Sequence, residues 1–166
     1  MPDSDQLWYF AYGSNMDPGQ MIDRRVRFSA AKRAVLREHT LVFNRYSVTY
    51  GAGVADIISK AGERVEGVLY LVTERGLRTL DKFEGVDRGL YRRVSVTIED
   101  DERKSHQAVC YQIVEKGVVN VPPSPEYLTK LVKGAEAFDL SPEYIQKLQG
   151  LLFRSHHPPK SRLSPS

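Results

Sequence analysis

Two groups of residues in this chain have types and spacings that can do chemistry. The first is Glu84. Leu77, Leu80 and Phe83 recur at helical spacing, and at about 100° per residue Glu84 lies about 40° from Leu80, the centre of that stripe, whereas Asp81 lies about 100° away. One acid is therefore expected to face inward. A carboxylate on an apolar face loses hydration, and at a helix C-terminus it meets the negative end of the macrodipole; both effects favour its protonated form. A carboxyl group whose pKa is raised this way suits general acid–base work. The alternative is a helix-end carboxylate turned to solvent or paired with Arg88.

The second group is Tyr9-Phe10-Ala11-Tyr12-Gly13-Ser14-Asn15. A buried strand that stops at Gly-Ser and turns into a helix leaves backbone N–H groups unpaired and converging, a ready site for a carboxylate or an oxyanion. The alternative is a plain tight turn capped by Ser14 or Asn15. Other reactive residues carry less. Cys110 lies inside an apolar strand (AVCYQIV), where a thiol is packing rather than a nucleophile. His39, His106, His156 and His157 lack metal-ligand spacing, so no metal is expected. Tyr127 belongs with Leu128, Leu131 and Val132 to an apolar stripe, although a tyrosine in the first turn of a helix can aim its hydroxyl into a neighbouring cleft.

The elements that must position these groups follow from the punctuation. Leu7 to Tyr12 reads as a buried strand, and Asp17-Pro18 as an N-cap and first helical residue of a short helix reaching about Arg25. Ala34–Leu36, Thr40–Asn44, Val54–Ile58 and Val65–Val72 read as separate strands of a meander or barrel-like sheet, with Gly51-Ala52-Gly53 and Ala61-Gly62-Glu63 as turns between the later ones. Thr73 caps the helix that ends near Glu84, and Gly85 takes the left-handed position after it. Tyr91–Ile98 and Gln107–Val114 form a hairpin. Ser124-Pro125 and Ser141-Pro142 each open a helix, over residues 124–137 and 141–152. The remaining residues, 153–166, read as a flexible basic tail, so residues 1–152 constitute one domain.

Composition bounds the partners. A chain of 166 residues with 41% hydrophobic and 27% charged residues is one ordinary globular domain. No apolar stretch approaches the roughly 20 residues a membrane-spanning helix needs, the N-terminus does not resemble a signal peptide, and a single cysteine fits a reducing compartment, so the location read from the sequence is cytoplasmic. The net charge is +3. Arg24, Arg25, Arg27, Lys32, Arg33 and Arg37 make a basic stretch, but no zinc-finger spacing, RNP1-like aromatic run or heptad basic region accompanies them, and nucleic acid is not the partner expected.

YFAYGSN at 9–15, FEGV at 83–86 followed by GLY at 89–91, and PPSPEYL at 122–128 occur in that order. Together they resemble the ordered signature of the γ-glutamylcyclotransferase (AIG2-like) family, from about Trp8 to Gly150. The resemblance implies an α+β fold, a single domain with a small mixed β-barrel and flanking helices. It also implies an enzyme, independent of cofactors, that closes a small-molecule γ-glutamyl amide into 5-oxoproline. In that reading Glu84 is the catalytic acid/base, Tyr9, Phe10, Ala11, Tyr12, Gly13, Ser14 and Asn15 hold the γ-glutamyl head, and Tyr91 and Tyr127 also touch substrate. The match is looser around Gly53-Val54-Ala55-Asp56, where Asp56 has no assigned role. The leaving group stays open between an amino acid and an amine. A rival of another class is a non-catalytic module holding a small acidic ligand in the same pocket, which a carboxylate at position 84 would hinder.

Overall fold

Each helix starts where its cap predicts. In the computed structural model, which describes residues 5–117 and 120–157, the side chain of Asp17 accepts from the Gly19 amide to open α1 (Pro18–Asp23). Thr73 accepts from Gly76 for α2 (Glu74–Phe83), Ser124 from Tyr127 for α3 (Pro125–Ala137), and Ser141 from Tyr144 for α4 (Pro142–His156). Three of these four helices carry proline in the first turn, where its missing N–H costs nothing. Helix α4 extends to His156, four residues beyond the end read from the sequence; residues 158–166 of the expected tail lie outside the described residues.

The strands are β1 (Gln6–Ala11), β2 (Ala30–Ser47), β3 (Ala52–Thr73), β4 (Tyr91–Asp100) and β5 (Ser105–Ile113). They close into a barrel in the order β1-β3-β2-β4-β5. All neighbours are antiparallel except β1 and β5, whose parallel pairing of Trp8 with Ala108 and Tyr9 with Val109 closes the ring. The predicted hairpin is β4–β5.

The four runs read as separate strands between residues 34 and 72 are instead two long strands. The turn expected at Ala61-Gly62-Glu63 is a bulge: Arg37 pairs with Arg64 and His39 with Ser59, so residues 60–63 stand opposite Glu38 alone. Gly62 takes a positive φ of 81° there and its amide donates to Glu38 Oε2 at 2.7 Å. Turn chemistry in a long strand pair can thus be absorbed as a local kink without reversing the chain.

The barrel core includes Phe10, Ile57, Leu69, Tyr70 and Ile98, all fully buried. Leu77 and Leu80 seat α2 on it. Phe83, expected as the third member of their stripe, is 52% exposed instead, its ring set against the Arg24 guanidinium. Asp81, read as the outward acid, is turned toward the barrel wall, bonded to Arg93 through both carboxylate oxygens (2.8 and 2.6 Å) and to Tyr111 Oη (2.7 Å).

Asp56 is completely buried and accepts from the Ile113 amide, Asn44 Nδ2 and Lys116 Nζ. It pins the end of β5 and the segment after it onto β3. Most of the basic stretch is paired: Arg24 meets Glu84, Lys32 meets Asp100, Arg33 meets Asp101 and Asp139, and Arg37 meets Glu99. Cys110 is fully buried, and burial pushes its thiol up to about 12.

Candidate active site

Beyond Ala11, the last residue of β1, the chain enters a single 3₁₀ turn, Ser14–Met16, before α1. Tyr70 Oη holds this turn in place by donating to the carbonyls of Asn15 (2.8 Å) and Met16 (3.1 Å). The Met16 and Asp17 amides close the turn onto Gly13 and Ser14. The amides of Ser14 and Asn15 have no acceptor among the described residues, as expected for the first N–H groups of a helical turn.

Asn15 organises the floor. Its side-chain oxygen accepts from Gln20 Nε2 and Arg24 Nη1, both at 3.0 Å, which fixes the amide so that Nδ2 donates to Tyr9 Oη at 2.9 Å and approaches Glu84 Oε1 at 3.4 Å. Glu84 caps the C-terminus of α2, and Gly85 follows in the left-handed region at φ 66°. The carboxylate thereby points back over the barrel end, with 18% of its side chain accessible. Its cation is Arg24, at 3.8 Å, rather than Arg88. Arg24 also lies 4.7 Å from the Phe83 ring centroid, which gives the exposed phenylalanine a partner. Burial raises the Glu84 pKa to about 7, against the lowering influence of Arg24 and with a smaller raising contribution from Asp81.

Two tyrosines from distant elements meet across the cleft on the backbone of one residue of β3, Ala55. Tyr91 Oη donates to the Ala55 carbonyl at 2.8 Å, and Tyr127 Oη accepts from the Ala55 amide at 3.0 Å. That leaves the Tyr127 hydroxyl proton without an acceptor among the described residues, available to a ligand. Burial keeps the hydroxyls of Tyr9, Tyr12, Tyr91 and Tyr127 protonated well above the ordinary phenol range. Gly13 is required by space: a Cβ there would lie 2.8 Å from Tyr127 Oη.

These groups surround a cavity of about 450 Å³, within the range of small-molecule sites. Of the residues anticipated from the sequence, Tyr9, Tyr12, Gly13, Ser14, Asn15, Glu84, Tyr91 and Tyr127 line it. Phe10 and Ala11 do not; both are buried in the barrel core, Phe10 because strand alternation turns it to the face opposite Tyr9. Sequence reading missed Arg24, Arg45, Tyr111 and the β2–β3 hairpin tip, residues 46–50, which join the wall together with Val54, Ala55, Lys82, Phe83, Arg88 and Leu90. Arg24 was visible only as one of a basic run. No local pattern distinguished it from its neighbours, since its partner Glu84 is sixty residues away along the chain.

The fold and cleft define an α+β barrel protein with a small-molecule site built around one carboxylate. The AIG2-like family model matches residues 64–148. Over 153 residues the chain is 33% identical to γ-glutamylcyclotransferase of Bos taurus, covering 90% of this chain and 80% of that protein. It is 30% identical over 154 residues to the Homo sapiens γ-glutamylcyclotransferase, covering 90% and 81%. A solved γ-glutamyl cyclotransferase superposes with a TM-score of 0.80 at 28% identity, covering 97% of this chain and 94% of that one. The chain belongs to the γ-glutamylcyclotransferase family and is an enzyme of that type.

Proposed function

We propose that this enzyme cyclises a γ-glutamyl amide to 5-oxoproline, with Glu84 carrying the proton. The observation that supports this most is the Glu84 carboxyl, poised near neutrality on the floor of a cleft otherwise lined by tyrosine hydroxyls and the Gly13–Asn15 turn. The substrate's α-amine attacks its own γ-carbonyl carbon, a C–N bond forms to close the five-membered ring, and the C–N bond to the leaving group breaks. A free α-amino group titrates near about 8 and is mostly protonated at neutral pH. The ammonium loses one proton to solvent to give the neutral amine. As that amine attacks, Glu84 takes the second proton from its nitrogen and delivers it to the departing nitrogen, and the released amine picks up a proton from solvent, so no water is consumed and the carboxylate ends as it began.

Positioning supplies much of the rest, because a well-oriented intramolecular attack is worth on the order of 10⁵ M or more in effective molarity. In this reading the free amides of Ser14 and Asn15 and the Tyr127 hydroxyl bind the substrate's carboxylate or the developing oxyanion. The leaving group is an amino acid rather than a bare amine. Arg45, Lys82 and Arg88 line the outer cleft with no carboxylate partner among the described residues, and they favour a leaving group that keeps a carboxylate.

The test is release of 5-oxoproline from γ-glutamyl-amino acids, γ-glutamylamines and glutathione, with Glu84→Gln in parallel. Turnover abolished by the substitution in a folded protein supports the assignment; full turnover by Glu84→Gln would discard it.

A further inference from the structure

The two ends of the cleft differ in character. The end at Gly13–Asn15 is polar and closed. The outer end is built by the β2–β3 hairpin tip and the last turn of α2, and its apolar side chains face solvent: Val48 is 91% exposed, Tyr46 57% and Phe83 52%. Single exposed apolar residues need no explanation. Here, however, six large hydrophobic residues are exposed among the described residues, and three of them line this one cavity. The same stretch of wall carries Arg45, Lys82 and Arg88. A surface that sets apolar side chains beside unpaired cations complements a ligand with one anionic group and one apolar group.

We infer that the outer cleft is a leaving-group subsite selecting γ-glutamyl conjugates of amino acids with large apolar side chains. This rests on the cyclisation proposed above. With the γ-glutamyl head against the Gly13–Asn15 turn and Glu84, the leaving amino acid extends toward the hairpin tip. Its carboxylate meets Arg45 or Arg88, and its side chain covers Tyr46, Val48 and the exposed edge of Phe83. A cavity of about 450 Å³ has room for a residue of that size beyond a glutamyl head. Burying an apolar side chain against such a wall discriminates by on the order of tenfold per well-packed increment.

The experiment uses the full chain and measures kcat/KM for 5-oxoproline release from γ-glutamyl-alanine, γ-glutamyl-leucine and γ-glutamyl-phenylalanine. The leucine and phenylalanine conjugates should exceed the alanine conjugate by on the order of tenfold. The combined Tyr46→Ser and Val48→Ser variant, which alters only exposed positions, should collapse that ratio toward one. An alanine conjugate turned over as well as or better than the others, or a ratio unchanged in the double variant, overturns the subsite and leaves the cyclisation standing. If none of the conjugates yields 5-oxoproline, the cyclisation falls and the subsite with it.

Discussion

The inner and outer ends of the cleft are made by opposite means. At the inner end a 3₁₀ turn is held by Tyr70, Gln20, Arg24 and Glu84 through a web of hydrogen bonds centred on Asn15. At the outer end the β2–β3 tip is a hairpin turn, with Gly51 at φ 65° donating to the Ser47 carbonyl, and its side chains stand largely in solvent. Groups that must hold reacting atoms within tenths of an ångström need the first construction. Groups that only choose among substrates tolerate the second. Substitutions at the inner end should therefore damage turnover or stability, whereas those at the outer end should change preference alone.

The largest effect should come from Glu84→Gln, with kcat/KM falling by roughly 10²–10⁴, measured as 5-oxoproline release, while circular dichroism stays that of the parent. Gly13→Val comes next. Its Cβ would meet Tyr127 Oη, and KM should rise by on the order of tenfold or more; Tyr127→Phe, which removes that oxygen, should relieve part of the loss in a double-mutant cycle. Simple additivity would mean that Gly13 acts in some other way.

A pH series sharpens the electrostatics. With its pKa raised to about 7, Glu84 should give kcat/KM an ascending limb centred near that pH, and Arg24→Met should move the limb upward by removing the cation that favours the charged form. The linked stability has a definite sign. The folded pKa of about 7 lies above the ordinary 4.5, so the folded state holds the extra proton between these values and wild-type stability declines as pH rises through them. Above pH 7 Glu84→Gln, which does not titrate, should be more stable than wild type by about 1–3 kcal/mol. The gap should close below pH 4.5, as followed by urea denaturation. The smallest effect belongs to the outer end, where Val48→Ser should change stability by under about 0.5 kcal/mol because its side chain has little packing to lose.

Much of this architecture was legible in short windows of sequence. Asp17, Thr73, Ser124 and Ser141 cap the helices they were expected to open, Gly85 takes its left-handed position, and the β4–β5 hairpin pairs as its alternation required. Phe10 and Phe83 were misread for one shared reason. Hydrophobicity marks both as candidates for a face, but whether that face is core, cleft or rim depends on where the barrel edge falls. The bulge at residues 60–63 was hidden because glycine in a left-handed conformation serves a kink as well as a reversal.

By itself, then, the sequence determined the four helix starts and their caps, the left-handed Gly85 and the β4–β5 hairpin, all of which follow from interactions within a few residues. The tertiary structure alone decided which groups meet. Asn15 and Glu84 are 69 residues apart, Ala55 and Tyr127 are 72, and Arg24 reaches Glu84 across the barrel mouth. Such contacts exist only once the strands pair and the helices seat on the barrel, because that assembly sets the distance between elements whose local patterns carry no information about one another.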